Sequence, residues 1–322
     1  YTQFFSRIVI PMAVDISYLR RGLPFLTLFG LLLGLISGGF YFLMSLVSPG
    51  IVAWVLTLAF DVLLTGGFHL DALADTADGL FSSRKKERML EIMKDSRIGS
   101  NGVLALILYY ALMLVLYPYL PEPRWFIVAS LTMIGKAGLS LQLYRMTYAR
   151  EGGGSGNFFS GSKTSHILLA QLLPLLLSLL VFSWRGLLAY GLVFLGAIGY
   201  RRFVYNKIDG HTGDTLGAYV EIAQLLYLLG LVVLRWYLMR HGQTDYNRRR
   251  CFYGSHDVSI NEQGQEDARQ LELLMQERTV DAIYTSCLKR TQETAQLAFP
   301  ERQVQPIADF DERGFGQWEG LT

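Results

Sequence analysis

Cysteine is scarce in this sequence, and no segment has the features of a cleavable signal peptide. The 322 residues include only 2 cysteines, Cys251 and Cys287. Their surroundings lack the spacing of a metal site, and two thiols give no support to a disulfide framework. Free thiols are only weak support for a reducing cytosol. The chain begins at Tyr1 without a Met, so we expect that its natural start has been trimmed.

Charge and hydropathy divide the sequence into two unlike parts. The first part is rich in Leu, Gly and aromatic residues, and the later part has the composition of a soluble α/β segment. The hydrophobic content of 51% and the mean hydropathy of +0.29 are averages over these two parts. The net charge is +6 before residue 237 and −4 after it, which gives the overall +2. We predict a membrane-embedded domain over 1–235 and a second domain over 236–322. Basic cytoplasmic loops explain the positive charge, so no nucleic-acid partner is expected.

Seven apolar segments are candidates for membrane helices, which need about 20 apolar residues to cross. They cover residues 22–47, 51–65, 102–120, 125–143, 167–183, 186–200 and 216–234. The sequence therefore predicts an all-α polytopic membrane domain of about six to seven membrane segments, surrounded by a lipid bilayer. Asp61, Lys136, Glu221 and Gln224 lie inside these segments. Because such groups at membrane depth usually face a cavity or belong to a re-entrant element, we expect that at least one segment does not cross fully.

The loops between the apolar segments alternate between short and long. The long loops are basic, and their cationic residues are Arg84, Lys85, Lys86, Arg88, Lys94 and Arg97 in the first, Arg145, Arg150 and Lys163 in the second, and Arg201, Arg202 and Lys207 in the third. Cytoplasmic loops of membrane proteins carry an excess of Lys and Arg. We therefore predict that all three long loops face the cytoplasm.

The most informative stretch is residues 66–79, GGFHLDALADTADG, which follows an apolar segment. At about 100° per residue, Asp71, Asp75 and Asp78 project from one helical face, within about 60° of one another. Three carboxylates so close repel one another, and a divalent cation would remove that repulsion. Hard oxygen ligands suit Mg²⁺ bridged to substrate phosphates. The competing interpretation is an acid-rich first helical turn or a solvated face.

Two further features of the long loops suit a phosphate ligand. Arg97 and the glycines of 95–102, DSRIGSNG, offer a guanidinium and bare backbone N–H groups. Residues 209–218, DGHTGDTLGA, combine glycines, hydroxyls and an acid at the start of an apolar segment. The run 145–156, RMTYAREGGGSG, taken alone is more typical of a flexible connector. Together on one face, the three loops predict a shared site for a polyphosphate and a metal.

These stretches resemble the signature sequences of the cobalamin synthase family, the adenosylcobinamide-GDP ribazoletransferases. The resemblance lies in 67–79, 95–99 and 212–218 and extends over about residues 1–235. Ala72 stands where the family commonly has Gly, and His211 stands where a second Gly is more usual. The resemblance implies a multi-pass protein of the bacterial inner membrane with its catalytic loops in the cytoplasm, and an oligomer is compatible with it.

The same resemblance implies a Mg²⁺-dependent phosphotransfer. A ribose hydroxyl of α-ribazole, or of its 5′-phosphate, attacks the cobinamide-side phosphorus of adenosylcobinamide-GDP, and GMP leaves. The implied roles are Mg²⁺ ligation by Asp71, Asp75 and Asp78 with Asp214 as a possible further ligand, phosphate binding by Arg97, and proton acceptance by His69. A His at a helix start is equally often a cap or a hydrogen-bond donor, so the role of His69 stays open.

The soluble tail resembles the histidine phosphatase superfamily, which includes phosphoglycerate mutases. An apolar stretch at 237–239, predicted as a strand, leads into 240–247, RHGQTDYN, and the ending 315–320, FGQWEG, is closest to α-ribazole phosphatase. By this resemblance His241 is the nucleophile that forms phosphohistidine. The implied phosphate ligands are Arg240, Asn247 and Arg290, and Glu312 would protonate the leaving oxygen.

The superfamily also uses a second histidine in its C-terminal half. After His241 only His256 remains, and its position does not match. We therefore expect that the sequence is a fragment and that residues 236–322 form a partial α/β histidine phosphatase domain. One alternative enzyme is a membrane phosphotransferase of the CDP-alcohol type, but its longer aspartate pattern is absent here. The non-enzyme alternative, in which the apolar segments only anchor a phosphatase or form a transporter, leaves the acidic face without a partner.

Overall fold

The computed structural model describes residues 1–9, 11, 17–150, 155–233, 237–276, 278, 280, 282–319 and 321. The glycines of 152–154, the end of the last apolar segment at 234, and Asp281 and Gly320 of the tail motifs lie outside the described residues. The chain divides into two compact units, Tyr1–Arg235 and Trp236–Thr322. Each unit is described separately below.

Ten α-helices form the first unit within its described residues. They are α1 (Thr2–Phe5), α2 (Ser17–Arg21), α3 (Leu26–Val47), α4 (Gly50–Thr65), α5 (Phe68–Leu80), α6 (Lys86–Ile92), α7 (Ser100–Leu116), α8 (Arg124–Gln142), α9 (Thr164–Ile208) and α10 (Gly213–Val233). All seven predicted apolar segments coincide with helical residues. The predicted all-α membrane domain is thus confirmed as the fold of this unit.

Helix α8 lies at the centre of the bundle. Of its 19 residues, 14 are buried, and it packs against α3 with almost no side chain between the two backbones. A Cβ added to Gly34 of α3 would lie 2.0 Å from the Ala129 carbonyl oxygen. Small residues let helices approach this closely in a membrane, where van der Waals packing and interhelical hydrogen bonds hold helices together.

Within the described part of the chain, four helical stretches are long and apolar enough to cross a membrane: Leu23–Val47, Ser100–Tyr119, Thr164–Ile208 and Gly213–Val232. A fifth candidate is the pair α4 and α5, which is bent by 90° and therefore has the form of a broken span or a re-entrant loop. Such a bend is one way in which a predicted apolar segment fails to cross fully.

Helix α9 contains two predicted segments joined by a break. Ser183 has φ 55° and ψ −144°, a conformation that an L-residue rarely adopts. A Cβ on Gly186 would lie 2.0 Å from the Ser178 carbonyl oxygen, a distance that a continuous helix does not allow between residues eight apart. The chain therefore turns back at Ser183, as the sequence predicts for the short connection between 167–183 and 186–200.

The second unit contains α11 (Asp245–Arg249), α12 (Glu262–Met275) and α13 (Lys289–Ala298), with a parallel pair of strands, β1 (Ile283–Thr285) and β2 (Val304–Pro306). The predicted strand at 237–239 is wrong. Those residues have no regular structure, and Leu238 is 97% exposed. A strand needs a neighbour to satisfy its backbone groups, and the described sheet has only these two members.

Candidate active site

The bend between α4 and α5 sets the direction of the acidic helix. Gly66 and Gly67 both have positive φ, 72° and 69°, so both adopt the left-handed conformation that glycine tolerates and other residues avoid. A Cβ on Gly66 would also lie 2.8 Å from Arg7 Nε. The two glycines therefore end α4 and begin α5 within two residues.

The three aspartates of α5 differ in exposure. Asp71 is exposed, Asp75 is half-buried and Asp78 is 8% exposed. The ionised form of Asp75 is destabilised mainly by burial, and then by the negative charges of Asp71, Asp214 and Asp78. The positive charge of Arg150 stabilises that ionised form. Helix α5 and the start of α10 thus bring Asp75, Asp71 and Asp214 into one electrostatic environment.

Asp78 is held by the start of α7. Its Oδ2 accepts the Gly99 N–H at 2.7 Å and its Oδ1 accepts the Gly102 N–H at 2.8 Å. A Cβ on Gly99 or Gly102 would lie 2.4 or 2.5 Å from the carboxylate oxygens. The interpretation of these glycines as a phosphate-binding loop is corrected, because their amides are occupied by Asp78, which caps the helix.

Arg97 lies at the surface of the same loop. Its side chain is 87% exposed, and its Nη2 donates to Asp95 at 2.7 Å. The side-chain and backbone hydrogen bonds from Arg97 lower the pKa of Asp95 to about 2. The Arg97 guanidinium is paired with Asp95 at the surface, and Arg97 lies two residues before Gly99, whose N–H binds Asp78. The role of Arg97 as a phosphate clamp stays a prediction.

Arg150 is the cationic side chain that the structure pairs with Asp214. Its Nη2 donates to Asp214 Oδ2 at 2.7 Å, and the two side chains are 14% and 24% exposed. A short parallel bridge between Tyr148 and His211 places it there: the Ala149 N–H donates to the His211 carbonyl and the His211 N–H donates to the Thr147 carbonyl, both at 2.9 Å. Arg150 is not among the predicted site residues, and only its place in the basic loop before the glycines of 152–154 pointed to it.

The three long loops meet beside the acidic helix, as predicted from their shared composition. Lys86 of the first loop pairs with Asp209 of the third at 3.0 Å. Arg150 of the second pairs with Asp214, which follows the third. Thr212 caps α10 through its hydroxyl, which accepts the Thr215 N–H at 3.2 Å. The loops therefore lie on one side of the unit.

His211 is fully buried beneath this cap. Its Nδ1 lies 3.1 Å from Thr215 Oγ1, and its Nε2 has no partner among the described residues. Burial, and to a smaller extent the charge of Arg201, lowers its pKa to about 3. A neutral His211 fills the place where the family more often has glycine.

His69 faces away from the carboxylates. Its Nε2 lies 3.1 Å from Lys136 Nζ, and its ring stacks on Phe5 at 5.6 Å between centroids. It is 6% exposed, and Lys136 is 0% exposed. Helical spacing puts Asp71 on the opposite side of α5, and the role of His69 as a base stays a prediction.

A cavity of about 50 Å³ opens beside His69. Its lining includes the ionisable and amide residues that the sequence places inside apolar segments, Asp61, Lys136, Glu221 and Gln224. Tyr109 donates to Glu221, and Ser37 donates to Asp61. The expectation that these groups face a cavity agrees with this arrangement.

The carboxylates fit Mg²⁺ in chemistry, though not as a preassembled cage. Among the described residues, no three His, Cys, Asp or Glu side chains lie close enough together to hold an ion by themselves. Mg²⁺ is usually bound through one or two carboxylates, with waters and substrate phosphates as the other ligands. Asp71, Asp75 and Asp214 supply oxygens of that kind, and their mutual repulsion favours a cation.

The second unit brings together three of its five predicted site residues. Arg290 is fully buried, and its Nη2 donates to Glu312 at 3.1 Å and to the Gly254 carbonyl at 2.8 Å. Arg290 and Glu312 both act electrostatically on His241. Burial lowers the pKa of His241, against the effect of its hydrogen bond with the Gly242 carbonyl. A neutral imidazole is the form that attacks phosphorus.

The other two predicted ligands are placed differently. The Asn247 side chain accepts the Thr244 N–H at 3.1 Å in a capping box at the start of α11, which leaves its amide NH₂ for a ligand. Arg240 is exposed, although its charge acts on His241. His256 pairs with Glu319 at 3.2 Å and is not placed as a second catalytic histidine.

Two known protein families match the chain, one for each of its two units. The sequence profile described as cobalamin-5-phosphate synthase matches residues 1–232, and that of branch 1 of the histidine phosphatase superfamily matches residues 236–322. No solved structure matches the chain significantly.

Several curated proteins are similar to the first part of the chain. A Listeria welshimeri protein named adenosylcobinamide-GDP ribazoletransferase is 46% identical over 237 residues, which is 72% of this chain and 95% of that protein. Proteins of the same name from Clostridium novyi and Citrobacter koseri are 38% and 39% identical, and each aligns with 71% of this chain and with 94% and 96% of its own length.

Proposed function

The chain belongs to the cobalamin-5-phosphate synthase family, and from that membership we propose that it is an adenosylcobinamide-GDP ribazoletransferase of cobalamin biosynthesis. Its substrates are adenosylcobinamide-GDP and α-ribazole or α-ribazole 5′-phosphate. The ribose hydroxyl oxygen forms a bond to the cobinamide-side phosphorus, the bond between that phosphorus and the bridging oxygen of the diphosphate breaks, and GMP leaves with that oxygen. The hydroxyl proton passes to a base or to water.

The observation that carries this proposal is the meeting of Asp71, Asp75 and Asp214 with Arg150 beside the three loops. A diphosphate substrate needs its negative charge offset and its phosphorus aligned with the attacking hydroxyl. A carboxylate face with a neighbouring guanidinium meets the first need, because the acids hold a cation and the arginine binds phosphate oxygens.

We assign cation binding to Asp71, Asp75 and Asp214. When bound, Mg²⁺ would offset charge on the diphosphate and on the departing GMP. Asp78 retains unused lone pairs, but its contacts with α7 give it first a positioning role. Because His69 lies on the other side of α5, we leave the proton acceptor unassigned.

The purified full chain in detergent should release GMP from adenosylcobinamide-GDP only when both α-ribazole and Mg²⁺ are present. Chelation should stop the reaction, and added Mg²⁺ should restore it. Release from a CDP-alcohol and not from adenosylcobinamide-GDP would favour the alternative phosphotransferase. No metal-dependent release from either would favour an anchor or transporter.

We also propose that the unit lies in the bacterial inner membrane with its three basic loops in the cytoplasm. The apolar helices support a membrane location, and the excess of Lys and Arg in the loops supports the orientation. Both substrates are cytoplasmic nucleotides or nucleosides in this proposal, so the acidic helix must face that side.

A second activity is favoured by the meeting of His241, Arg290 and Glu312. We propose that this unit, in a domain that also supplies the second histidine of the superfamily, removes the 5′-phosphate from α-ribazole 5′-phosphate or from adenosylcobalamin 5′-phosphate. His241 attacks phosphorus, Arg290 orders the pocket, and Glu312 protonates the leaving oxygen. Quenching of the full chain with labelled substrate in alkaline detergent, in which phosphohistidine is stable, should trap the phosphoenzyme; the label should be lost on acid treatment, and His241→Asn should abolish it.

A further inference from the structure

Arg150 holds Asp214 with only part of its guanidinium. Its Nη2 donates to Asp214, whereas its Nε is buried and makes no well-formed hydrogen bond within the described residues. Besides Asp214, the Tyr148 hydroxyl also acts on the guanidinium, and it is likewise buried without a well-formed hydrogen bond within the described residues. A buried donor without an acceptor costs about 1–3 kcal/mol, so its presence calls for a ligand or another acceptor. A phosphate oxygen is an acceptor of the kind that a guanidinium binds most strongly.

The pair between Arg150 and Asp214 shows what Arg150 does before a ligand binds. Arg150 Nη2 donates to Asp214 Oδ2 at 2.7 Å, and both side chains are largely buried. Asp214 also accepts a hydrogen bond from the Thr212 hydroxyl at 3.3 Å. In this state the guanidinium is the cation that offsets the acidic face, and it competes with any other cation for Asp214.

We propose that Arg150 exchanges partners during substrate binding. It holds Asp214 in the unliganded protein and moves its guanidinium to the diphosphate of the nucleotide substrate, which leaves Asp214 free as an oxygen ligand for a divalent cation. A guanidinium binds phosphate oxygens in bidentate fashion, so the exchange replaces one strong pair with another. This inference rests on the proposed function, since it places both a cation and a diphosphate at this site.

The exchange predicts that one variant, Arg150→Met, binds a divalent cation more tightly and a diphosphate more weakly. Arg150→Met removes the competitor for Asp214, so a divalent cation should bind several-fold more tightly when no nucleotide is present. The same variant should bind GDP, a diphosphate probe, at least about 10-fold more weakly, because hydrogen bonds to charged groups are among the strongest. A purely structural role predicts that both affinities fall together.

The test uses the full chain in detergent, with Mn²⁺ as a paramagnetic probe titrated first alone and then with GDP. Arg150→Lys keeps the charge without the bidentate fork, and should retain Mn²⁺ affinity near that of the parent while losing GDP affinity. Arg88→Met is the matched control, since Arg88 makes an exposed pair with Glu91, and it should change neither. Elution as a single species in size-exclusion chromatography confirms folding.

The outcomes separate the two proposals. Unchanged or weaker Mn²⁺ binding by Arg150→Met, with Mn²⁺ binding lost in Asp75→Asn, overturns the exchange but keeps the cation site. Unchanged Mn²⁺ binding in Asp75→Asn overturns the site itself and with it the exchange. If Arg150→Met does not fold, equal GDP affinity in Arg150→Lys and the parent overturns the exchange.

Discussion

The carboxylate of Asp78 and the backbone of Gly102 form a buried contact between α5 and α7. Asp78 Oδ1 accepts the Gly102 N–H at 2.8 Å, and a Cβ on Gly102 would lie 2.5 Å from Asp78 Oδ2. Through this contact Asp78, one of the three aspartates of α5, holds α5 and α7 together. Asp75 has no such contact with the backbone of a neighbouring helix among the hydrogen bonds of the described residues, so substitutions of the two should have different consequences.

Asp75→Asn should abolish transfer and leave the protein folded. The amide keeps the volume of the side chain but loses the charge that binds the cation and offsets the diphosphate. We expect kcat/KM for GMP release to fall at least about 10²-fold, with little change in the thermal midpoint. Glu87→Gln, at an exposed position of α6, is the control. Normal turnover by Asp75→Asn at limiting Mg²⁺ would contradict the metal assignment.

Asp78→Asn and Gly102→Ala should instead reduce stability. The first weakens two charge-assisted hydrogen bonds, and the second forces a methyl group against the same carboxylate, so we expect each to cost about 1–3 kcal/mol. Thermal unfolding in detergent with a chelator present measures this effect without a metal. A Gly102→Ala protein as stable as the parent would mean that Asp78 does not depend on this contact.

The sequence allowed correct prediction of the features that depend on local periodicity. A helix over residues 68–80 follows from apolar spacing, and 100° per residue then places Asp71, Asp75 and Asp78 on one face. The same rule puts His69 on the other face, although its partner Lys136 is 67 residues away and was not foreseen. Contacts between residues so far apart in sequence depend on how the helices pack, and the local sequence pattern does not determine that packing.

The pairing of the two loop arginines shows the same limit. Arg97 and Arg150 both stand beside glycines in basic loops, and their sequence contexts do not distinguish them. The difference lies in the bridge between Tyr148 and His211, which joins residues 63 apart and carries Arg150 to Asp214. Arg97 has Asp95 two residues away and pairs with it at the surface.

The basic loops should be protected from the outside of the cell. Single cysteines at the exposed positions Lys85, Lys163 and Lys207 should not react with an impermeant thiol reagent in intact cells, and should react after permeabilisation. The physical reason is the excess of cationic residues in these loops, which retains them on the cytoplasmic side.

The positive control for this experiment is Glu122→Cys, in a short exposed loop between α7 and α8, which should react in intact cells. Cys251 and Cys287 would first be changed to Ser to remove the native thiols. Labelling of any of the three basic loops from outside would rule out one shared site, because the loops would then lie on opposite sides of the membrane.

Glu319 should make the second unit sensitive to acid. Its carboxylate accepts the N–H groups of Ser255, Phe315 and Gly254, and these bonds lower its pKa to about 2. Since the folded pKa is below the ordinary value of about 4.3, the stabilisation is complete above that value and is lost as pH falls toward 2.

Hydrogen exchange of peptides covering 254–256 and 315–319, followed by mass spectrometry between pH 5 and pH 3 and corrected for intrinsic rates, measures this loss in the full chain. Protection should fall with pH in the parent. In Glu319→Gln it should be lower at pH 5 and change less with pH. A parent whose protection is constant over this range would show that Glu319 does not hold the two segments together.

Lys136 and Glu221 should depend on each other inside the bundle. Both side chains are buried, and both line the cavity beside His69. An electrostatic attraction between the two side chains favours the ionised form of each. Lys136→Met removes the cation and leaves a buried carboxylate without its counter-charge, which should cost on the order of 3 kcal/mol. Glu221→Gln alone removes the acid and leaves Lys136 with His69 and the face of Phe5, 3.5 Å away, so we expect it to destabilise as well.

The double variant Lys136→Met/Glu221→Gln removes both charges at once, so it should be more stable than the sum of the two single losses predicts. Thermal unfolding of all four proteins in one detergent gives the coupling free energy, which we expect to exceed about 0.5 kcal/mol for groups that share a cavity. The control cycle pairs Lys136→Met with Arg88→Met on the surface, where the effects should add. Additive losses in the Lys136 and Glu221 cycle would show that the two charges do not compensate each other, and that the hydrogen bonds from Tyr109 and Gln224 suffice to hold Glu221.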